Sequence, residues 1–292
     1  MTYWLVANGQ AGDGGRGRDF WVSALAAAGV EQPRCCEFDD PAWQQEAGPG
    51  DVVMVAGGDG SANLGARVCT DTGATLAVLP SGTANDFARN LALPDDPDAL
   101  CRLIARGESR AVDVAVFGEQ IFLNVAHVGL GTLPVRRGNG SRKRLLGRFS
   151  YGVELIRQLG AKRGFRATIE CDRGQVSGRW LSVAVASGAF YGGGNEIPQA
   201  AADDGLLDVI AVRPRPLLQL LLTFVMVRLN RQAPRRTSTL LHLKGRQCRI
   251  GTRKPKTVTA DGEVVGKTPL TVTCRPGCLK VIASTVVSTV RN

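Results

Sequence analysis

The stretch from Asp51 to Arg89 reads DVVMVAGGDGSANLGARVCTDTGATLAVLPSGTANDFAR. An apolar run, Val52 to Ala56, leads into the turn Gly57-Gly58-Asp59-Gly60, and a helix-compatible run follows from Ala62 to Val68. The pattern then repeats. Leu76 to Leu79 is a second apolar run, Pro80-Ser81-Gly82-Thr83 a second turn, and Ala84 to Leu91 a second helix-compatible segment. Two strand, glycine turn, helix units in succession predict a parallel α/β sheet. Each turn places backbone N–H groups and a Ser or Thr at a helix start, a geometry that binds phosphate. Asp59 is out of place there on charge alone. It makes sense if Mg²⁺ lies between it and the phosphates, or if it takes a proton or hydrogen bond from the acceptor. The plainer alternative is a tight turn with a solvated carboxylate.

The chain has 292 residues, enough for two domains with real cores, and its 44% hydrophobic content argues against disorder. A formal net charge of +10 suits nucleic acid, an anionic membrane or a phosphorylated ligand. Aromatics are sparse at 5% and no nucleic-acid module is legible, so single-strand stacking platforms are not expected. The eight cysteines are dispersed through core-like pattern rather than paired for zinc, which predicts reduced thiols in the cytosol. No signal peptide is expected, because Tyr3 to Ala7 lacks a basic leader. The longest apolar run, Leu217 to Val227, would reach about 16 Å as a helix against a hydrocarbon layer of about 30 Å, so no transmembrane segment is predicted.

Outward from the core stretch, Trp4 to Ala7 and Cys35 to Phe38 read as strands. Phe20 to Ala28, Pro41 to Ala47 and Asp98 to Ala105 read as helices, the first and last closed by Gly29 and Gly107. Gly12 to Arg18 is a glycine-rich loop. Beyond Ala111 to Phe117 the pattern changes to short alternating runs: Ile121 to Ala126, Phe165 to Glu170, Trp180 to Ala186, Leu207 to Val212 and Leu270 to Cys274. These predict a mostly antiparallel β-sandwich with helical interruptions at Phe149 to Leu159 and Leu217 to Leu229. The domains are therefore drawn as 1–113 for the α/β part and 114–278 for the β-rich part, with 279–292 returning to the first. Asp261-Gly262 is a two-residue hairpin signal between Thr257–Ala260 and Glu263–Val265.

GGDGSAN (Gly57 to Asn63) and LPSGTANDFARNL (Leu79 to Leu91) resemble the catalytic domain of the diacylglycerol kinase family, which bacterial lipid kinases share with sphingosine and ceramide kinases. The resemblance continues through FLNVAHVGLGT (Phe122 to Thr132), SGAFYGGGNEIPQAAADDGLLDV (Ser187 to Val209) and ADGEVV (Ala260 to Val265), nearest to the bacterial diacylglycerol and phosphatidylglycerol kinase branch. It implies a phosphofructokinase-like nucleotide domain, a β-sandwich lipid domain and a cleft between them. The implied activity is transfer of the γ-phosphate of ATP to a lipid hydroxyl, with Mg²⁺.

The nucleotide contacts it implies are Gly57, Gly58, Asp59, Gly60, Ser61, Ala62, Asn63, Ser81, Gly82, Thr83 and Asn85. Glu263 is the implied base, Asp59 its rival and Asp261 a supporting carboxylate or metal contact. A structural Mg²⁺ is implied at Asp204 with the backbone oxygens of Ala201 and Leu206. His127 and His242 are expected to be structural. Where the family offers a Thr after the second strand, this chain has Glu37-Phe38-Asp39. The expected partner is lipid at the inner face of an anionic membrane. Contact is expected through the basic cluster Arg136, Arg137, Arg142, Lys143, Arg144 and Arg148. Oligomeric state is left open, with a homodimer among the options. Two other classes remain: a kinase of NAD or another small molecule on the same fold, and a non-catalytic lipid-binding module.

Overall fold

The computed structural model of the protein describes residues 1–7, 16–129, 164–172, 174–216, 219–220 and 239–284. The basic cluster at 136–148 and the helices expected at 149–159 and, apart from 219–220, at 217–229 lie outside these residues. The first half runs β1 (Tyr3–Ala7), α1 (Arg18–Ala27), β2 (Arg34–Cys36), α2 (Pro41–Glu46), β3 (Val52–Gly57), α3 (Asp59–Thr72), β4 (Thr75–Pro80), α4 (Asp86–Asn90), α5 (Pro97–Arg106) and β5 (Ser109–Phe117). Strands β2-β1-β3-β4 are parallel neighbours in that order. The continuous apolar runs of β1, β3 and β4 follow from burial on both faces, while the edge strand β2 exposes Arg34 and Cys35. Trp4, Val6, Val53, Val55, Leu76 and Val78 feed a core that α3 covers. Leu5, Met54, Ala56, Ala77 and Leu79 feed another, covered by α1 and α5. Local signals set the helix ends. Asp96 caps α5 through the Ala99 N–H at 3.0 Å, Pro97 opens it, and Gly107 closes it in the left-handed region.

The second half adds β6 (Gln120–Phe122), β7 (Val125–Gly129), β8 (Phe165–Cys171), β9 (Gly174–Trp180), β10 (Ser182–Ala186), β11 (Phe190–Tyr191) and β12 (Asn195–Glu196). It continues with β13 (Leu207–Val212), β14 (Leu240–Gly245), β15 (Gln247–Thr252), β16 (Thr257–Ala260), β17 (Glu263–Lys267) and β18 (Leu270–Ile282). A six-stranded antiparallel sheet, β14-β13-β10-β7-β16-β17, packs over part of a ten-stranded sheet to form a sandwich core that includes Phe122, Val128, Ile169, Trp180, Val209 and Val272. The expected fold class, a parallel α/β domain with an antiparallel β-sandwich domain, is what the chain adopts.

The ten-stranded sheet belongs to both halves. Strand β18 pairs with β15 and β5 along its length and then lies parallel to β4, with Val281 opposite Leu76. Leu279, Val281 and Ala283 consequently pack in the first half's core. Buried Asp113, in the middle of β5, sits at this seam. Its carboxylate accepts the Gly205 N–H at 2.6 Å and the Gly277 N–H at 2.9 Å. Gly277 lies in the bulge where β18 changes register against β5. Burial raises the Asp113 carboxyl above its usual range while the two N–H groups pull it back.

One expected strand is not continuous. The run Ile121 to Ala126 is broken at Leu123 and Asn124 into β6 and β7. Its backbone N–H groups there turn to a carboxylate instead of to a neighbouring strand.

Asp113→Ala leaves two backbone donors at the seam without a partner. The variant is expected to lose about 2–4 kcal/mol of stability, read as a fall in the urea midpoint with unchanged slope.

Candidate active site

The first turn lies at the C-terminal end of β3. Gly58 is the N-cap of α3, and the first intrahelical bond there runs from Ala62 N–H to Gly58 carbonyl at 3.0 Å. The backbone N–H groups of Asp59, Gly60 and Ser61 therefore open the helix without intrahelical partners, which is an anion-binding arrangement. The second turn packs on the first, backbone to backbone. A Cβ on Gly82 would stand 2.5 Å from Gly58 Cα, so only glycine allows this approach.

In this second turn neither Ser81 nor Thr83 caps the following helix, whose N-cap is Asn85. Asn85 folds back on Gly82 through bonds of 3.1 and 2.8 Å, and Ser81 Oγ is held by Trp21 Nε1 at 3.0 Å. Gly82 and Thr83 remain exposed beside the first turn.

Four carboxylates converge on this region, and their hydrogen bonds separate them. Asp59 Oδ1 accepts the Phe87 N–H at 2.9 Å and Asn124 Nδ2 at 3.2 Å. Its Oδ2 has no hydrogen-bond partner among the described residues. Asp261 stands at the tip of the β16–β17 hairpin, where Asp261 and Gly262 both take positive φ, 44° and 90°. Its Oδ2 accepts Leu123 N–H at 2.7 Å and Asn63 Nδ2 at 3.1 Å, and its Oδ1 accepts Asn124 and Val125 N–H at 3.0 and 3.1 Å. Burial lifts its pKa, opposed by these donors. Four donors on two oxygens leave little room for a metal or a proton to be exchanged. Glu263, two residues on, is exposed, and its carboxylate has no hydrogen-bond partner among the described residues.

Buried Asp86 has a different task. Its oxygens accept the N–H groups of Gly193 and Gly194 at 2.8 and 2.7 Å, which ties the glycine-rich loop of the second half to α4. Neither Asp86 nor Asn124 was picked out by sequence reasoning. Asn124 donates its side chain to Asp59, gives its backbone N–H to Asp261, and accepts Asn90 Nδ2 at 3.0 Å. The available signal was a lone amide inside the apolar run Phe122 to Val128.

The remaining expected residues fall into place around this frame. Asn63 is occupied by Asp261 and by the Ile121 carbonyl at 3.3 Å, and Ala62 is buried. Ser61 Oγ lies so close over Gly57 that a Cβ there would stand 2.3 Å away. Glu37, in the place of the family's Thr, pairs with Arg18, which also donates to the Ala7 carbonyl at 3.0 Å. Burial holds the His127 pKa down to about 4, so it is neutral at neutral pH, and His242 stands 2.5 Å from Asp208.

At the expected metal turn, Asp204 Oδ1 accepts the Leu206 N–H at 3.0 Å and Oδ2 is paired with Lys244 Nζ at 2.9 Å. Both oxygens of the Asp204 carboxylate, the expected side-chain ligand, are thus already engaged. No helix among the described residues is long and apolar enough to cross a membrane.

Comparison with known proteins bears on what this arrangement is. Residues 2–117 match the diacylglycerol kinase catalytic domain. Residues 124–283, more than half of the chain, match the YegS C-terminal NAD kinase beta sandwich-like domain. A "Probable lipid kinase YegS-like" protein of Stenotrophomonas maltophilia is 30% identical over 240 residues, 78% of this chain and 77% of that one. A Synechocystis protein is 30% identical over 248 residues, which cover 82% of this chain but only 57% of the relative, less than two thirds of its length. A Bacillus anthracis crystal structure, described as a candidate diacylglycerol kinase, superposes with a TM-score of 0.79 at 26% identity over 97% of both chains. The chain belongs to the diacylglycerol kinase family, in the branch whose members are named YegS-like lipid kinases.

The bonding pattern separates two carboxylates by stability. Asp261→Asn turns an amide NH₂ toward backbone donors and is expected to lower stability by about 2 kcal/mol. Glu263→Gln, with no bonds to lose, is expected to stay within about 0.5 kcal/mol of the parent. Paired urea titrations check both.

Proposed function

We propose that the protein transfers the γ-phosphate of ATP to a hydroxyl of a membrane lipid such as diacylglycerol or phosphatidylglycerol. The observation that carries this is the pair of carboxylates left with unengaged oxygens, Asp59 Oδ2 and Glu263. One opens the anion-binding helix terminus, and the other sits on a hairpin tied to it through Asp261 and Asn124. In the proposed step the lipid hydroxyl oxygen bonds to the γ-phosphorus and the bond from that phosphorus to the β–γ bridging oxygen breaks. The hydroxyl proton passes to Glu263, and ADP leaves. Asp59 Oδ2 is the oxygen suited to the Mg²⁺ that accompanies the nucleotide, which would neutralise phosphate charge. The N–H groups at the start of α3 receive phosphate oxygens.

The YegS-like and diacylglycerol kinase relatives favour lipid over NAD as acceptor. The unengaged Glu263 favours catalysis over lipid binding alone. Labelled ATP offered with diacylglycerol, phosphatidylglycerol, sugars and NAD tests the reading, with label expected in lipid. Label in NAD, or none with any acceptor, overturns it. Glu263→Gln is expected to reduce kcat by at least ~10²-fold with ATP affinity retained. Asp59→Asn is expected to remove nearly all transfer in a folded protein. If Glu263→Gln weakens ATP binding and leaves kcat intact, Asp59 is the base.

We further propose that the protein meets its acceptor at an anionic membrane surface, without spanning it. Arg166, Arg253, Lys254 and Lys256 line an open cavity of about 420 Å³ with Gly164 and Phe165, and no acid is among the described residues of its wall. Basic groups near an anionic surface contribute roughly 1 kcal/mol each, screened by salt. Sedimentation with anionic vesicles is expected to exceed that with zwitterionic ones and to fall with salt. Replacing Arg253 and Lys254 by Gln is expected to weaken vesicle binding and spare ATP affinity.

A further inference from the structure

The turn at 203–208 carries three carboxylates, Asp203, Asp204 and Asp208, and the fold supplies its own cations. Arg110 on β5 pairs with Asp203 at 2.7 Å. Lys244 on β14 reaches the other side. The register of β13 against β14 sets Lys244 directly opposite Asp208, so the two opposite charges face each other across the ladder whatever the side chains do further out. From there Lys244 Nζ stands 2.7 Å from the Gln199 carbonyl, 2.9 Å from Asp204 Oδ2 and 3.5 Å from Asp208 Oδ1. An ammonium has three N–H donors and no acceptor, and here there are three oxygens for them. Gln199 itself holds a left-handed φ of 69°, an uncommon conformation for a side chain of that kind. Asp208 is buried and has His242 Nε2 as its second partner at 2.5 Å.

We propose that Lys244 is the resident cation of this turn, occupying with its ammonium group the role that the family resemblance gives to a divalent ion. Three things support it. The opposite register of Lys244 and Asp208 comes from the backbone. Asp204 has both oxygens engaged, one by the Leu206 N–H and one by Lys244. Each of the acids nearby already has a basic partner, Asp203 in Arg110, and Asp204 and Asp208 in the shared ammonium of Lys244. An ion entering beside Asp204 would have to expel a half-buried ammonium and leave it unpaired, which opposes binding. The turn is thus held in its folded shape, with Gly205 delivered to Asp113, without divalent metal.

The proposal is independent of the phosphoryl-transfer reading, and its test uses no activity. Thermal melts of the full chain without nucleotide are compared in chelator, in Mg²⁺ and in Ca²⁺. The wild-type Tm is expected to be the same in all three. Lys244→Met is expected to melt several degrees lower in chelator and to recover part of that loss in Mg²⁺ or Ca²⁺, because Asp204 and Asp208 are then free to take an ion. Adding Asp204→Asn to Lys244→Met is expected to remove this recovery. Stabilisation of the wild type by Mg²⁺ that Asp204→Asn abolishes would overturn the proposal. So would a Lys244→Met variant that melts like the wild type in chelator. If Lys244→Met does not fold, the wild-type comparison and Lys244→Arg, expected to be metal-insensitive as well, still decide.

Discussion

The carboxylate of Asp261 holds four hydrogen bonds at once, three from consecutive backbone N–H groups and one from Asn63 on α3. Much of the site depends on this one group. It breaks the chain between β6 and β7, which turns Asn124 toward Asp59. It joins the hairpin of the second half to the helix that opens the anion-binding turn. Hydrogen bonds to a charged group contribute about 1.5–3 kcal/mol each, so the hairpin tip is fixed more firmly than an Asp-Gly turn alone would be. Asp86 and Asp113 repeat the device, each taking two glycine N–H groups from segments distant in sequence. Glycine suits these places because a backbone must come close to a carboxylate with no side chain in between.

The same bonding separates structural acids from chemical ones. A carboxylate with both oxygens directed at N–H groups is held in place, and proton transfer would first require breaking those bonds. Asp261, Asp86 and Asp113 are of this kind. Among the described residues Asp59 keeps one oxygen unengaged and Glu263 keeps both, so with respect to these contacts the two can bind an ion or take a proton without breaking a bond. The family resemblance placed Asp59, Asp261 and Glu263 in one site with Glu263 as base and Asp59 as its rival but could not separate those roles, because a motif records which residues stand near each other and not which of their atoms are occupied.

What was legible follows the same division. The parallel strands were readable because burial on both faces makes their runs continuously apolar, and the Asp261-Gly262 turn because positive φ at two successive residues narrows the residue choice. The interruption at Leu123 and Asn124 was not readable, since the partner that causes it lies 138 positions away for Leu123. Strands β14 and β15 were missed for another reason. Leu241-His242-Leu243-Lys244 does alternate, the leucines facing the sandwich while His242 and Lys244 face Asp208, and in β15 buried Cys248 and Ile250 alternate with exposed Gln247 and Arg249, but each polar set is strong enough to mask a short run. The placement of Lys244 at the acidic turn is a consequence of strand register, which periodicity does not specify.

These contacts also constrain how donor and acceptor are brought together. A kinase with two lobes can close around a hinge and exclude water by that motion. Here strands β5 and β18 run through the seam, and the large sheet continues from one half to the other. Opening the halves would break the Asp261 bond to Asn63, both Asp86 bonds to the glycine loop and the Asn124 bond to Asp59. Charge-assisted bonds at a part-buried seam make that expensive. The relative position of the helix terminus and the hairpin is therefore set when the chain folds. For the transfer proposed above, alignment of the reacting groups then follows from preorganisation, and binding energy need not be diverted to assemble the site.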